Sequence, residues 1–394
     1  DRFYYLTRTV GLNLLVQLEG NSFAELVMRN SDVEGLPADI FSRPDFVFNL
    51  ANLGTSGPIP DDATTPDWDE AVLLTRNIPT LGTIRFNGPE HVVFNGADNL
   101  SDLMWSSEGD DTLRGNGGND RIEGAAGNDQ FIGGLGNDIL TDNFGDDVLK
   151  GGDGNDAMGS GQGFDLNQGG RGDDFVIGGS DPTETFGGPG DDFIFAGDSF
   201  DTVFGDDGDD WIEGGNQADL LQGDNGFPFQ NDPNGGHDVI IGGGGNDDYD
   251  SEGGDDVLVS GPGVERNEGM LGFDWVTHRG DPQAADADLT LIGLLPPDVN
   301  DLRDRFDLVE GLSGWNFNDT LRGDNGDAAI MIGHELDAVG IARINGLANV
   351  LPAGATSFTG GNIILGGSGS DLIEGRGGDD IIDGDRWLNV QLQH

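Results

Sequence analysis

The sequence has no cysteine, a single lysine and no long apolar run, and each absence excludes a class of protein. Without cysteine the chain can form neither a disulfide framework nor a thiolate metal site. Because no apolar run reaches the roughly 18 residues that cross a bilayer, no membrane span is predicted. The basic residues number 18, and all of them except Lys150 are arginine.

Acidic residues dominate the charge, with 73 Asp and Glu and a formal net charge of −55. Nucleic acid is excluded as a partner, because its phosphates would be repelled, and anionic membranes are disfavoured. Cations are favoured. The 70 glycines make the composition typical of a disordered chain. We therefore expect that a metal decides whether much of the chain folds.

The sequence contains neither the zinc-protease motif nor the serine motif of lipases. None of the five histidines lies in an H-E-x-x-H motif, and no serine has glycine at both −2 and +2. We interpret His278 as structural and predict no catalytic residue. The chain opens on "DRFYYLTRTV", without a start methionine or a signal-peptide pattern, which we interpret as a fragment or a processed product.

Five regions differ in composition. Residues 11–30 carry apolar residues at helical spacing, with Ser22 and Glu25 as a capping box, and a later helix is expected to begin at Pro297 and Asp298. The predicted regions are 1–50, a helical segment; 51–95, a linker with short strands; 96–260, a repeat array; 261–360, an irregular α/β insertion; and 361–394, a final coil of the array and a C-terminal strand.

The repeat array places an aspartate at every ninth residue. From Asp102 to Asp219, thirteen of fourteen such positions are Asp, and Thr183 is the exception. A second phase begins at Asp238, and a short third phase holds Asp371 and Asp380. Glycine usually stands two residues before the aspartate and an apolar residue two after it. This pattern is G-G-x-G-x-D-x-U-x, the calcium-binding β-roll repeat of RTX proteins.

The nine-residue period favours a β-roll on physical grounds as well. Nine residues make about 2.5 helical turns, so residues nine apart cannot share one face of a helix. A short strand and a turn fit nine residues, and two such units close one coil of 18. Coils stacked at about 4.8 Å form parallel sheets with the apolar residues inside. The predicted fold is all-β, a parallel β-roll with a small helical N-terminal segment and an irregular insertion.

Stacking the coils also stacks their carboxylates, which would repel one another about 5 Å apart. A calcium ion between turns removes this repulsion, since calcium takes six to eight oxygen ligands. One side of the roll would carry Asp111, Asp129, Asp147, Asp165 and Asp201, and the other Asp120, Asp138, Asp156, Asp174, Asp192 and Asp210. The predicted metal ligands are Asp111, Asp120, Asp129, Asp138, Asp147, Asp156, Asp165, Asp174, Asp192, Asp201, Asp210, Asp219, Asp238, Asp247, Asp256, Asp371 and Asp380.

Three positions depart from the pattern. The role of Asp102 stays open, because "NLSDLMWS" lacks the preceding glycine. Asn167 stands where an apolar residue belongs after Asp165, and with Thr183 it predicts an irregular coil over 165–185 that lacks one ion. Asp319 keeps half of the motif, and we interpret it as structural.

The array resembles the RTX family, whose members are toxins, proteases, lipases, epimerases and adhesins exported by type I secretion. Residues 1–32, "DRFYYLTRTVGLNLLVQLEGNSFAELVMRNSD", resemble the closing segment of animal-type haem peroxidases, in which a strand is followed by helices. "GDDWIEGGN", "NEGMLGFDWVTHRGDP", "DRFDLVEGLSGW" and "DGDRWLNVQL" are similar to the RTX tails of large bacterial members. The resemblance implies that any haem site lies upstream, so haem is expected only in an upstream domain.

The sequence thus predicts a calcium-binding region, with many ions, that folds on export and stabilises or displays a secreted enzyme. One alternative is an adhesin or surface-lattice stalk, and another is a polysaccharide-active or epimerase-type carbohydrate module. The expected location is extracellular or at the cell surface. The expected partners are calcium, the type I secretion machinery, and the cell surface or extracellular matrix.

Overall fold

The computed structural model describes residues 91–390 apart from 97, 107, 226–234, 294–302 and 330–331, and before residue 91 it describes the backbone of six strand segments. The chain divides into two compact units, Asp1–Glu184 and Thr185–His394. The strands of the first unit are β1 Arg2–Thr7, β2 Asn13–Leu18, β3 Leu26–Val27, β4 Phe46–Asn49, β5 Val72–Leu73, β6 Gly82–Asn87, β7 Val92–Asn95, β8 Leu103–Trp105, β9 Thr112–Gly117, β10 Arg121–Glu123, β11 Gln130–Leu135, β12 Ile139–Thr141, β13 Val148–Asp153, β14 Ala157–Gly159, β15 Asp165–Arg171 and β16 Phe175–Gly179.

The first unit is mainly a stack of parallel strands in two sheets, and β3 and β5 form a separate antiparallel pair. One sheet has the order β1-β2-β6-β8-β10-β12-β14-β16, and the other has the order β15-β13-β11-β9-β7-β4. Strands β1, β2 and β6 pair antiparallel, whereas β6 and β8 begin the parallel stack. Ile122 pairs with Leu140 and Phe131 with Leu149, so adjacent strands differ by 18 residues. The predicted parallel β-roll of 18-residue coils is confirmed.

The apolar residues of the repeat form the core between these sheets. Ile122 and Leu140 from one sheet and Phe131 and Leu149 from the other are fully buried. Because side chains alternate across a strand, one apolar residue per three-residue strand is enough to line this thin interior. The core is a single row of side chains per sheet, which supplies little hydrophobic stabilisation for each coil.

Most of the turns carry a glycine two residues before the aspartate, and the backbone there requires it. Gly136 has φ of +120°, a conformation that L side chains rarely adopt. A Cβ on Gly136 would also overlap the carbonyl oxygen of Gly118 in the preceding turn. The glycine period of the sequence therefore reflects close backbone stacking as well as backbone conformation.

The second unit continues the same architecture by itself. β17 Thr183–Phe186 spans the boundary between the units. The further strands are β18 Phe193–Gly197, β19 Thr202–Phe204, β20 Trp211–Gly215, β21 Leu220–Gln222, β22 Val239–Gly243, β23 Asp248–Asp250, β24 Val257–Val259, β25 Arg266–Glu268, β26 Trp275–Thr277, β27 Asp286–Asp288, β28 Arg305–Asp307, β29 Gly311–Ser313, β30 Thr320–Arg322, β31 Ile363–Leu365, β32 Leu372–Glu374 and β33 Ile381–Asp383. One sheet has the order β18-β20-β22-β24-β26-β29-β31-β33, a second β28-β25-β23-β21-β19, and a third β27-β30-β32.

The region 261–360 lies within this stack, although its sequence loses the nine-residue period. β24 pairs with β26, β26 with β29 and β29 with β31, all parallel. Helix α1, Ala338–Arg343, and a 3-10 turn at Leu347–Asn349 lie in the chain between β30 and β31. Leu336, Ile341 and Leu347 pack with Trp275 in one apolar cluster. The region is therefore a set of longer loops on a continuing roll.

Two predicted helices are wrong where the structure describes them. Residues 13–18 and 26–27 are strands, and so are 305–307 and 311–313. Short apolar segments fit helical and strand periods alike, and pairing with neighbouring strands decides between them. The expected caps at Ser22, Glu25, Pro297 and Asp298 lie outside the described residues. In the described part of the chain, no helix has the length and apolar character needed to cross a membrane.

Candidate metal sites

The repeated aspartates of the first unit form two hydrogen-bonded ladders. The main-chain N–H of each aspartate donates to Oδ1 of the aspartate 18 residues later, at 2.7–2.9 Å. The first ladder contains Asp102, Asp120, Asp138, Asp156 and Asp174, and the second contains Asp111, Asp129, Asp147 and Asp165. Asp102, whose role the sequence left open, is therefore the first member of a ladder.

The second unit has two ladders of the same kind. The third ladder contains Asp192, Asp210, Asp238, Asp256 and Asp274, and the fourth contains Asp201, Asp219 and Asp247. Asp210 donates to Asp238 across 28 residues instead of 18, at 2.8 Å. The change of phase after residue 219 is thus a longer loop that leaves the stacking intact.

The ladder carboxylates are buried, and several of them are only half satisfied. Asp120, Asp138 and Asp210 are each about 2% exposed or less. Among the described residues, no hydrogen bond reaches Oδ2 of Asp120, Asp129, Asp138, Asp156, Asp210, Asp219 and Asp238. A buried carboxylate without a compensating charge costs several kcal/mol. Each of these seven residues therefore presents an oxygen that a bound cation would satisfy.

A second glycine, which stands five residues before many of the ladder aspartates, shapes the space beside Oδ2. A Cβ on Gly133 would overlap Oδ2 of Asp138 and lie 2.6 Å from the carbonyl oxygen of Gly151 in the next coil. Gly151 stands in the same relation to Asp156. Carboxylate and glycine carbonyl oxygens thus converge on the same small space, and oxygen is the ligand that calcium requires. The residues present fit calcium.

Burial raises the pKa of these carboxyl groups. The pKa of Asp138 rises to about 7 because burial outweighs the hydrogen bond from Asp120 N–H, and the charges of Asp120 and Asp156 raise it further. Burial likewise raises the pKa of Asp129 to about 8 and that of Asp210 to about 9. Without a metal, the folded ladder therefore retains protons that exposed carboxylates lose near pH 4.

These raised pKa values predict that the metal-free protein becomes less stable as pH rises. Between pH about 4 and about 8 the folded ladder holds more protons than the unfolded chain, so stability falls as pH rises through this range. We expect metal-free protein to show more β-structure by circular dichroism at pH 5 than at pH 8. With calcium the sign reverses, since metal ligands must be deprotonated. A metal-free spectrum that does not change between these pH values would contradict the prediction.

One ladder position carries an additional carboxylate that the nine-residue count missed. Ligand oxygens of Asp129, Asp142 and Asp147 lie within 4.8 Å of one another, and all three residues are buried. Asp142 accepts the N–H groups of Ala125 at 2.6 Å and Phe144 at 3.0 Å. The sequence does hold a signal for Asp142, because it stands five residues before Asp147, where Gly133 and Gly151 stand before Asp138 and Asp156.

The two predicted ligands near the C-terminus, Asp371 and Asp380, and the nearby Asp319 differ from the ladder residues in burial or in hydrogen bonding. Asp371 accepts the N–H of Asp319 at 2.9 Å, and Asp380 accepts that of Asn362 at 2.9 Å, but both are less buried than the ladder residues. Asp319 accepts N–H groups on both oxygens, from Ala285 and Trp315. With both oxygens satisfied, Asp319 has the contacts of a structural residue.

The coil after Asp165 is more regular than the sequence predicts. β13 and β15 keep the 18-residue register, with Leu149 opposite Asn167. Asn167 is fully buried, and its Nδ2 donates to Ser160 Oγ at 3.2 Å. The expected irregularity over 165–185 is therefore wrong for residues 165–179, because the asparagine amide finds a partner inside the core.

The RTX calcium-binding nonapeptide repeat pattern matches residues 96–131, 105–140, 132–166, 168–181, 186–226, 234–258 and 356–386. The chain contains calcium-binding RTX repeats. The matched segments hold all seventeen of the predicted aspartate ligands, and they hold every ladder residue except Asp274. No curated protein matches the chain.

Proposed function

We propose that the RTX repeats of this chain bind calcium at the ladder aspartates, and that calcium binding drives the folding of the roll. The observation that carries the proposal is the row of buried Oδ2 atoms without hydrogen bonds, beside glycine carbonyl oxygens. A row of such atoms is unfavourable in the metal-free fold and favourable once a divalent cation bridges the turns.

The magnitude of the effect supports metal-dependent folding. When free calcium is ten times the dissociation constant, each site stabilises the fold by roughly 1.4 kcal/mol. Ten sites would give about 14 kcal/mol, which equals the whole stability of an ordinary domain. The narrow core, with one apolar side chain per strand, contributes less for each coil than a globular core of equal length.

The proposed role is to fold after export into calcium-rich surroundings and to stabilise or display a secreted enzyme. In calcium-poor cytosol the ladders would stay unfolded because the ions that neutralise them are missing. The proposed enzyme is an animal-type haem peroxidase, and its support is the residue pattern of 1–32. β1 agrees with the strand expected there, whereas β2 replaces an expected helix.

The first test removes two adjacent rungs of one ladder. We expect the variant Asp138→Asn, Asp156→Asn to need a several-fold higher calcium concentration at the folding midpoint, because two neighbouring sites lose a charged ligand. The measurement is far-UV circular dichroism during a calcium titration. The matched control is Asp153→Asn, Asp173→Asn, which removes the same charge at two exposed positions of the same unit.

The control separates ligation from general charge repulsion. If calcium is bound by the ladders, the control midpoint should stay close to that of the unmodified protein. Equal shifts in both variants would show that net charge alone sets the calcium dependence, and the proposed ligands would then be wrong.

A further inference from the structure

At Asp274, the acceptor of the third ladder changes from an aspartate to a glutamate. The main-chain N–H of Asp274 donates to Oε2 of Glu310 at 3.0 Å, where the preceding rungs meet an aspartate Oδ1. Asp274 is fully buried and Glu310 is 7% exposed. Both residues lie between residues 258 and 356, a stretch that the RTX repeat pattern does not match. The stack therefore continues here with a carboxylate pair that the repeats do not assign.

A loop of the same unit brings a histidine to this pair. The carbonyl oxygen of Gly333 accepts the N–H of Gly272 at 3.0 Å, and Leu336 is fully buried in the apolar cluster. These two contacts hold the intervening backbone against the roll. As a result, Nδ1 of His334 lies 3.4 Å from Oε1 of Glu310.

The three side chains form a compact set of nitrogen and oxygen ligand atoms. One ligand atom from each of Asp274, Glu310 and His334 lies within 4.8 Å of the others. His334 is 9% exposed. Neither Oδ2 of Asp274 nor Nδ1 of His334 makes a hydrogen bond among the described residues, and both atoms are buried. Two buried carboxylates this close repel unless a positive charge lies between them.

We propose that Asp274, Glu310 and His334 bind a first-row transition metal ion of the zinc type. Imidazole nitrogen suits zinc, whereas calcium takes oxygen ligands almost exclusively. Zinc binds both imidazole nitrogen and carboxylate oxygen, and a site with three protein ligands leaves a fourth position for water. The chain would then hold two classes of metal, calcium along the repeats and one zinc-type ion where the repeats are interrupted.

The test uses cobalt as a spectroscopic probe on the full chain, with calcium kept saturating so that the calcium sites stay filled. Tetrahedral cobalt gives intense visible bands, and we expect one cobalt per chain with these bands, displaced by zinc. His334→Gln should lose the bands and weaken zinc binding by more than the 10–100-fold that loss of an outer partner costs. The matched control is His237→Gln, which alters another histidine of the same unit. Nδ1 of His237 accepts the N–H of Asp255 at 2.6 Å. This variant should keep the visible cobalt bands.

Circular dichroism in calcium establishes that each variant is folded, so a failure of calcium-driven folding is seen separately from a failure of zinc binding. Unmodified protein that binds no cobalt under saturating calcium would overturn the proposal. Equal zinc affinity of His334→Gln and unmodified protein would overturn it as well. If His334→Gln does not fold, histidine-ring NMR of unmodified protein decides: zinc must shift the His334 ring signals, and unshifted signals would refute the site.

Discussion

Removal of calcium by EGTA is expected to abolish most of the β-structure of the roll, and addition of excess calcium is expected to restore it. The folded chain buries carboxylates such as Asp120 and Asp138 with one oxygen unsatisfied. The formal net charge of −55 of the chain adds repulsion among its acidic residues. The stabilisation that opposes these costs in the metal-free chain is small, because each three-residue strand contributes only one apolar side chain to the core. The measurement is far-UV circular dichroism through a cycle of EGTA and calcium.

Magnesium provides the control for the nature of the ion. Magnesium is smaller, prefers octahedral geometry and retains its water, so it should restore much less β-structure than calcium at the same concentration. A spectrum that is already rich in β-structure in EGTA, and unchanged by calcium, would show that the roll folds without metal.

The substitution Gly133→Ala is expected to prevent calcium binding at Asp138, because the added methyl group fills the space beside Oδ2 without removing a ligand. A Cβ at Gly133 would overlap Oδ2 of Asp138 and lie 2.6 Å from the carbonyl oxygen of Gly151. Such overpacking typically costs about 1–3 kcal/mol. Loss of the bound ion at tenfold excess would add roughly 1.4 kcal/mol. The expected result is a lower melting temperature in calcium and a higher calcium midpoint.

The matched control is Gly159→Ala in β14 of the same unit. Nothing lies within 4 Å of a Cβ at Gly159, so the added methyl group meets open space. This substitution should leave the calcium midpoint unchanged and leave stability equal or slightly higher, because alanine restricts the unfolded chain. Equal calcium midpoints for the two variants would show that the space beside Oδ2 does not take part in calcium binding.

The nine-residue spacing is sufficient to predict the ladders but not the loops. Asp138 and Asp156 stack because a three-residue strand and a tight glycine turn close a coil in only one register. Glu310 also falls on the nine-residue count, 36 residues after Asp274. A search for the aspartate motif misses it because it is a glutamate and because Leu308, not glycine, stands two residues before it. Asp274 itself lies 18 residues after Asp256, so counting on through the interrupted region would have found it.

The N-terminal prediction failed for a different physical reason. β2 contains Leu14, Leu15 and Val16, a run that fits a helix face and a strand equally well. Pairing with β1 on one side and β6 on the other satisfies its backbone as a strand. Such pairing partners are distant in sequence, and a local period does not contain that information.

The most direct test of calcium ligation by the ladders is an anomalous difference map from crystals grown in calcium, recorded where calcium scatters anomalously. We expect a row of peaks beside Oδ2 of Asp120, Asp138 and Asp156, spaced by about 4.8 Å like the stacked strands. A map without peaks along this row, with those carboxylates bonded to water instead, would contradict this expectation.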